Sequence, residues 1–136
     1  MVEKEDTPQP TPEPAHEPVR GIKHIFAATR YSAAGLACLL KQTAFILELC
    51  GAVGLFIVFA LIGAQGVQFL VLALLFLLVF CVEALNTAIE MIVDELSPNR
   101  SEFARNTKDL GSLAVACTLL GTGLYATYVV IDNLLN

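Results

Sequence analysis

The sequence predicts an all-α integral membrane protein, with an N-terminal amphipathic surface helix and three transmembrane helices. Three observations carry that reading. Of 136 residues, 56% are hydrophobic and only 15% charged, with a mean hydropathy of +0.69, whereas soluble domains carry roughly a quarter charged residues. No Asp, Glu, Lys or Arg occurs from Leu49 to Val82. As a helix that run is ~50 Å long, more than the ~30 Å bilayer core, so it must turn back on itself. A chain this short also has too little interior to bury so much apolar surface alone, which excludes an ordinary soluble enzyme.

The elements follow in order. Residues 1–20 carry Glu3, Glu5, Asp6, Glu13 and Glu17 among Pro8, Pro10, Pro12, Pro14 and Pro18. Such an acidic, proline-rich tail without apolar periodicity is expected to be disordered. It lacks the basic and then apolar order of a signal peptide. Residues 21–136 are expected to form one membrane-embedded domain. Within 21–42, Ile22, Ile25, Phe26, Leu36, Leu39 and Leu40 recur at helical spacing, and Lys23, His24, Arg30 and Lys41 interrupt the apolar face. That pattern suits a helix lying in the membrane interface.

The first span covers about 43–62, with Glu48 near its start. Gly63-Ala64-Gln65-Gly66 is the turn before the apolar run resumes. A second span covers about 67–93. Asp94 to Asp109 is a polar connection, and its Pro98 should stop or restart a helix. The third span covers about 110–131.

Basic residues set the orientation. Arg20, Lys23, Arg30 and Lys41 precede the first span, and Arg100, Arg105 and Lys108 separate the second from the third. The 63–66 turn and the C-terminal end carry neither Lys nor Arg. The positive-inside rule then places the N-terminus and the 94–109 connection in the cytoplasm, as in a multi-pass protein of the inner (cytoplasmic) membrane. Cys38, Cys50, Cys81 and Cys117 form no CxxC and have no histidine at ligand spacing. They are expected to be reduced and to pack as small apolar residues. Nucleic acid is not expected as a partner.

Polar groups inside a membrane are costly and mark function. Glu83, Asn86, Glu90 and Asp94 fall at i, i+3, i+7 and i+11 of the second span, so they share one helical stripe. Counted from Val67, Glu83 lies ~24 Å along the helix and Glu90 ~35 Å. The column therefore runs from the cytoplasmic leaflet to the headgroups. A carboxylate at the depth of Glu83 can take a proton from a hydroxyl presented within the bilayer. Glu90 and Asp94, nearer water, offer the hard oxygen ligands that suit Mg²⁺ holding phosphates. Lys108, with Arg100 and Arg105, supplies cations for developing phosphoryl charge, and Asp109 adds an acceptor. Neither a GxxxxGK[ST] loop nor a kinase-type glycine loop is present. Spacing alone leaves three readings open: lipid phosphorylation, a helix–helix assembly seam, or a proton or ion path.

The residues Glu83-Ala-Leu-Asn86-Thr-Ala-Ile-Glu90, then Met-Ile-Val-Asp94, then Lys108-Asp109-Leu-Gly-Ser112 resemble the prokaryotic integral-membrane diacylglycerol kinases and the similar undecaprenol kinases. Tyr31-Ser32, Gly35-Leu36 and Ala44-Phe45 extend the likeness, which covers about residues 21–131. The resemblance implies a homotrimeric bundle with active sites between subunits. It implies transfer of the γ-phosphoryl group of ATP to the hydroxyl of diacylglycerol, giving phosphatidic acid, with undecaprenol as the alternative acceptor. It makes Glu83 the catalytic base and Glu90 the ligand of Mg²⁺ and nucleotide. Tyr31, Asn99, Arg100, Ser101, Lys108 and Asp109 become ATP contacts, while Ser32, Asn86 and Ser112, with Glu83, become lipid contacts. The chain departs from the family at Gln42, where a second metal-binding glutamate is usual, and at Ile46, where an arginine is usual.

Overall fold

The computed structural model describes residues 22–97 and 101–135, and the N-terminal tail, Asn99 and Arg100 lie outside them. The described chain is all-helical: α1 (Ile22–Leu39), α2 (Thr43–Leu61), α3 (Gly66–Leu96) and α4 (Glu102–Leu135). The last three are long and apolar enough to cross a membrane, and the protein is a multi-pass membrane protein. α2, with 19 residues, is ~28 Å long and matches a bilayer core. α3 and α4, with 31 and 34 residues, exceed it by ~15–20 Å.

Local chemistry fixes the ends. α2 closes where Gly63 takes φ 69°, a left-handed conformation that glycine adopts without a Cβ penalty. The Ala64 N–H donates to the Phe59 carbonyl at 3.0 Å and the Gly63 N–H to Ala60 at 3.3 Å, the paired bonds of a Schellman motif. α3 opens with a capping box in which Gln65 and Gln68 serve each other's backbone N–H. The expected 63–66 turn therefore forms through glycine and glutamine chemistry.

The polar connection differs from its sequence reading. α3 continues to Leu96 and α4 restarts at Glu102, so most of residues 94–109 is helix. Ser101 makes this possible: its Oγ accepts the Ala104 N–H at 3.0 Å, satisfying a first-turn donor as an N-cap does. Glu102 adds an acidic group to the first turn, where it complements the helix dipole.

Packing is concentrated between α3 and α4, while α1 touches α3 lightly. Asp94 meets Lys108 at one end of the pair, and the Gln68 carbonyl accepts the Tyr125 hydroxyl at 3.0 Å near the other, so the two helices are antiparallel. The core joins Ala52 and Phe59 of α2, Leu72 and Phe76 of α3, and Ala126 and Val129 of α4. Phe59 anchors it, with ring contacts to Phe69 and Tyr125. The outer faces stay apolar and exposed, as at Leu47, Leu70, Leu77, Leu120 and Leu124. Cys50, Cys81 and Cys117 are free thiols on exposed faces, not packed among buried residues as their apolar setting suggested. A helix surrounded by apolar residues on every side leaves sequence no means of telling its inner face from its outer one.

Candidate active site

The stripe read from the sequence becomes a gradient of burial along α3. Glu83 (4% exposed) and Asn86 (7%) are buried, Glu90 is half-buried and Asp94 is exposed. The column thus leads from the protein interior to the surface over ~16 Å of helix. Asn86 joins its members, since its Nδ2 donates to Glu90 Oε1 at 3.2 Å and the amide also lies beside Glu83.

α4 closes over this stripe with a glycine. A Cβ at Gly111 would run into the Asn86 side-chain oxygen, with Asn86 Cγ only 3.3 Å away. The missing side chain lets the α4 backbone approach the amide, in keeping with the use of glycine at close contacts. Asn86 Oδ1, buried there, has no hydrogen-bond partner. Such atoms are uncommon in folded proteins.

Two cavities flank the column. A cleft of about 230 Å³ is lined by Gln42, Ala44, Glu83, Asn86, Thr87, Glu90, Ser112 and Val115. It joins the start of α2, the column of α3 and α4 one turn beyond Lys108. Gln42 precedes α2 with extended backbone, makes no side-chain cap and lines the cleft. Beyond the cleft, a larger cavity of about 990 Å³ is lined by Asp94, Ser97, Ser101, Glu102, Ala104, Arg105 and Lys108. Here Lys108 Nζ lies 2.5 Å from Asp94 Oδ1. Lys108 and Ser112 are one turn apart on the same face of α4, so one helix edge supplies both cavities.

Most of the expected site residues come together in these two places. Glu83, Asn86, Glu90 and Ser112 share the cleft, and Ser101, Arg105 and Lys108 share the outer cavity. Asp94 stands with Lys108 and apart from the cleft carboxylates. Asp109 is exposed on α4, and Tyr31 and Ser32 are exposed on α1; none of the three lines either cavity. Sequence reasoning missed Thr87, Ala44 and Val115 as lining residues. Thr87 was discoverable in principle, because it adjoins Asn86 on the stripe's flank.

Among the described residues no three His, Cys, Asp or Glu side chains converge on a metal site. Mg²⁺ does not require one, because it is commonly held by one or two carboxylates together with phosphates and water. Glu90 and Gln42 both line the cleft, and a carboxylate with a side-chain amide is an oxygen donor set that fits this pattern.

Similarity to known proteins agrees with the geometry. A profile of the family described as prokaryotic diacylglycerol kinase matches residues 30–130. A diacylglycerol kinase of Sinorhizobium sp. is 47% identical over 117 residues, covering 85% of each chain. Another from Pseudomonas aeruginosa is 41% identical over 104 residues, covering 74% of this chain and 84% of its own. A third, from Haemophilus influenzae, is 32% identical over 105 residues, covering 76% and 89%. The matched region contains the whole column, the residues lining both cavities, α2 and α3, and α4 as far as residue 130. The chain is therefore an enzyme, a transferase, and belongs to the prokaryotic diacylglycerol kinase family.

Proposed function

We propose that this protein transfers the γ-phosphoryl group of ATP to the hydroxyl of diacylglycerol at the cytoplasmic face of the inner membrane. The carrying observation is that a buried carboxylate, Glu83, shares one cleft with a half-buried one, Glu90, below an outer cavity that holds Lys108 and Arg105. A lipid hydroxyl arrives from the bilayer and a nucleotide from water, and the column spans the distance between them.

Glu83 accepts the hydroxyl proton as the lipid oxygen bonds to the γ-phosphorus. The bond from that phosphorus to the β–γ bridging oxygen breaks, leaving ADP and phosphatidic acid. Lys108 and Arg105 balance charge on the phosphates. Tyr31, Asn99, Arg100, Ser101 and Asp109 complete the nucleotide contacts, and Ser32, Asn86 and Ser112 those to the lipid. Glu90, with Gln42 opposite, would hold Mg²⁺. When bound, the ion neutralises phosphate charge and fixes the phosphate geometry.

α1 lies in the interface as a surface helix and the N-terminus is cytoplasmic. The chain works as a homotrimer, because its long helices leave much apolar surface exposed and the cleft is open on one side of a small bundle. Subunit neighbours supply the remaining walls.

The test is transfer of labelled γ-phosphate from ATP by the full chain in lipid micelles, with diacylglycerol and undecaprenol as parallel acceptors. Phosphatidic acid is the expected product. Faster labelling of undecaprenol would reassign the acceptor. Glu83→Gln should abolish turnover while nucleotide binding persists. Full activity in that variant would remove Glu83 as the base.

A further inference from the structure

Thr87 is a buried hydroxyl that the proposed reaction leaves unused. It is 6% exposed and lines the same cleft as Glu83 and Glu90. On α3 it stands four residues after Glu83 and three before Glu90, so the three share one face. Along the helix axis Thr87 is ~6 Å from the first carboxylate residue and ~4.5 Å from the second. The threonines of α4 show what a helical hydroxyl ordinarily does. Thr107, Thr118, Thr122 and Thr127 each donate to a backbone carbonyl three or four residues back, at 2.8–2.9 Å. Thr87 makes no such bond, nor any other hydrogen bond among the described residues. Its O–H is an unspent donor in a buried place, where an unmade hydrogen bond is costly. The Asn86 amide, by contrast, already donates to Glu90. No Lys or Arg is among the described residues that line this cleft, so an anion entering it has neutral donors to meet.

The reaction proposed above brings the lipid hydroxyl to Glu83 and the nucleotide to Glu90, so the phosphorus that passes between them does so at the level of Thr87. We propose that Thr87 donates its O–H to a non-bridging oxygen of the transferring phosphoryl group. The role rests on the reading of Glu83 as the base and Glu90 as the carboxylate on the nucleotide side. As the lipid oxygen bonds to the γ-phosphorus and the bond to the β–γ bridging oxygen breaks, charge is spread over the three non-bridging oxygens. A donor already in place stabilises that charge without reorganising. The Thr87 proton stays on its own oxygen throughout, since the lipid proton goes to Glu83 and leaves from it to water. A lysine or arginine here would be drawn onto Glu83 or Glu90 by opposite charge, whereas a neutral O–H leaves both carboxylates free. Serine at position 87 keeps the donor. Valine keeps the shape and loses it.

The experiment uses the full chain in lipid nanodiscs with diacylglycerol, by steady-state kinetics and by titration with two probes. One probe is ADP alone, and the other is ADP with Mg²⁺ and aluminium fluoride, which mimics the phosphoryl group in flight. Thr87→Val should lower kcat by about 10²-fold, the scale of losing one donor to developing charge, with KM for ATP changed by less than about threefold. It should weaken the aluminium fluoride complex by a similar factor and leave ADP binding within about threefold, because the bond is made only in transfer. Thr87→Ser should keep kcat within about threefold of wild type, as one hydroxyl replaces another. Undiminished kcat in Thr87→Val overturns the proposal, as does an equal loss in Thr87→Ser, or ADP binding that falls as far as that of the aluminium fluoride complex. If Thr87→Val fails to fold, Thr87→Ala also lacks the hydroxyl, and wild-type kcat there overturns the proposal. Wild-type protein that binds ATP but phosphorylates no lipid overturns the kinase reading and this role with it. Wild-type turnover that Thr87→Val retains overturns the role of Thr87 alone.

Discussion

Lys108 Nζ on α4 lies 2.5 Å from Asp94 Oδ1 on α3, so the cation proposed to meet nucleotide phosphate is already engaged by a carboxylate. Both groups are at least partly exposed, and an exposed ion pair contributes only ~0–1 kcal/mol. The pair should therefore matter to kinetics more than to stability. Asp94→Asn is expected to leave the unfolding midpoint nearly unchanged and to lower the KM for ATP, because Lys108 no longer has to exchange partners. Lys108→Ala should cost at least ~10²-fold in kcat/KM, the scale of losing one donor to transferring phosphoryl charge. Thermal unfolding with ATP-dependent kinetics checks both, and a large destabilisation by Asp94→Asn would show that the pair holds the helices together.

Gly111 and Asn86 give a packing prediction. With the Asn86 oxygen directly in the path of a Cβ at position 111, Gly111→Ala must displace the amide that bonds Glu90. Overpacking of this kind costs ~1–3 kcal/mol, and activity should fall with stability because Glu90 loses its donor. In Gly111→Ala/Asn86→Ala the obstructing atoms are gone. A double-mutant cycle on unfolding should then show coupling of ~0.5–3 kcal/mol, and strict additivity would contradict the close approach.

The long apolar helices and the polar stripe were legible because both have strong periodic signatures. A charge-free run of that length admits one solution, and four polar residues at i, i+3, i+7 and i+11 admit one face. Contacts between helices had no such signature. Nothing local marks Gly111 as the neighbour of Asn86, or Gln42 as a cleft residue and not a cap. The start of α4 was hidden for another reason: polar residues from Glu102 to Asp109 read as a loop, whereas Ser101 caps a helix there.

Ser101 thus has two roles that one pair of variants separates. Ser101→Ala should destabilise by about 1 kcal/mol, the usual cost of losing an N-cap. Ser101→Asp should restore that loss, since a carboxylate also accepts the Ala104 N–H and complements the helix dipole. If Ser101 also meets the nucleotide, Ser101→Asp should raise the KM for ATP by repelling phosphate even though the cap is intact. Unfolding and ATP titration, measured on the same samples, report the two roles independently.

Gln42 offers the sharpest test of the proposed metal site. Gln42 lines the same cleft as Glu90, and its amide can present a carbonyl oxygen but no charge. Mg²⁺ affinity depends on the charge of its oxygen ligands. Gln42→Glu should therefore lower the Mg²⁺ concentration for half-maximal activity, with about tenfold corresponding to 1.4 kcal/mol. The added carboxylate also faces Glu90 and Glu83, so without metal the like charges should destabilise the variant. Stability of Gln42→Glu should accordingly rise more steeply with Mg²⁺ than that of the wild type, by the linkage between ion binding and folding. Equal Mg²⁺ dependence of activity and unfolding in the two proteins would place position 42 outside the metal's reach.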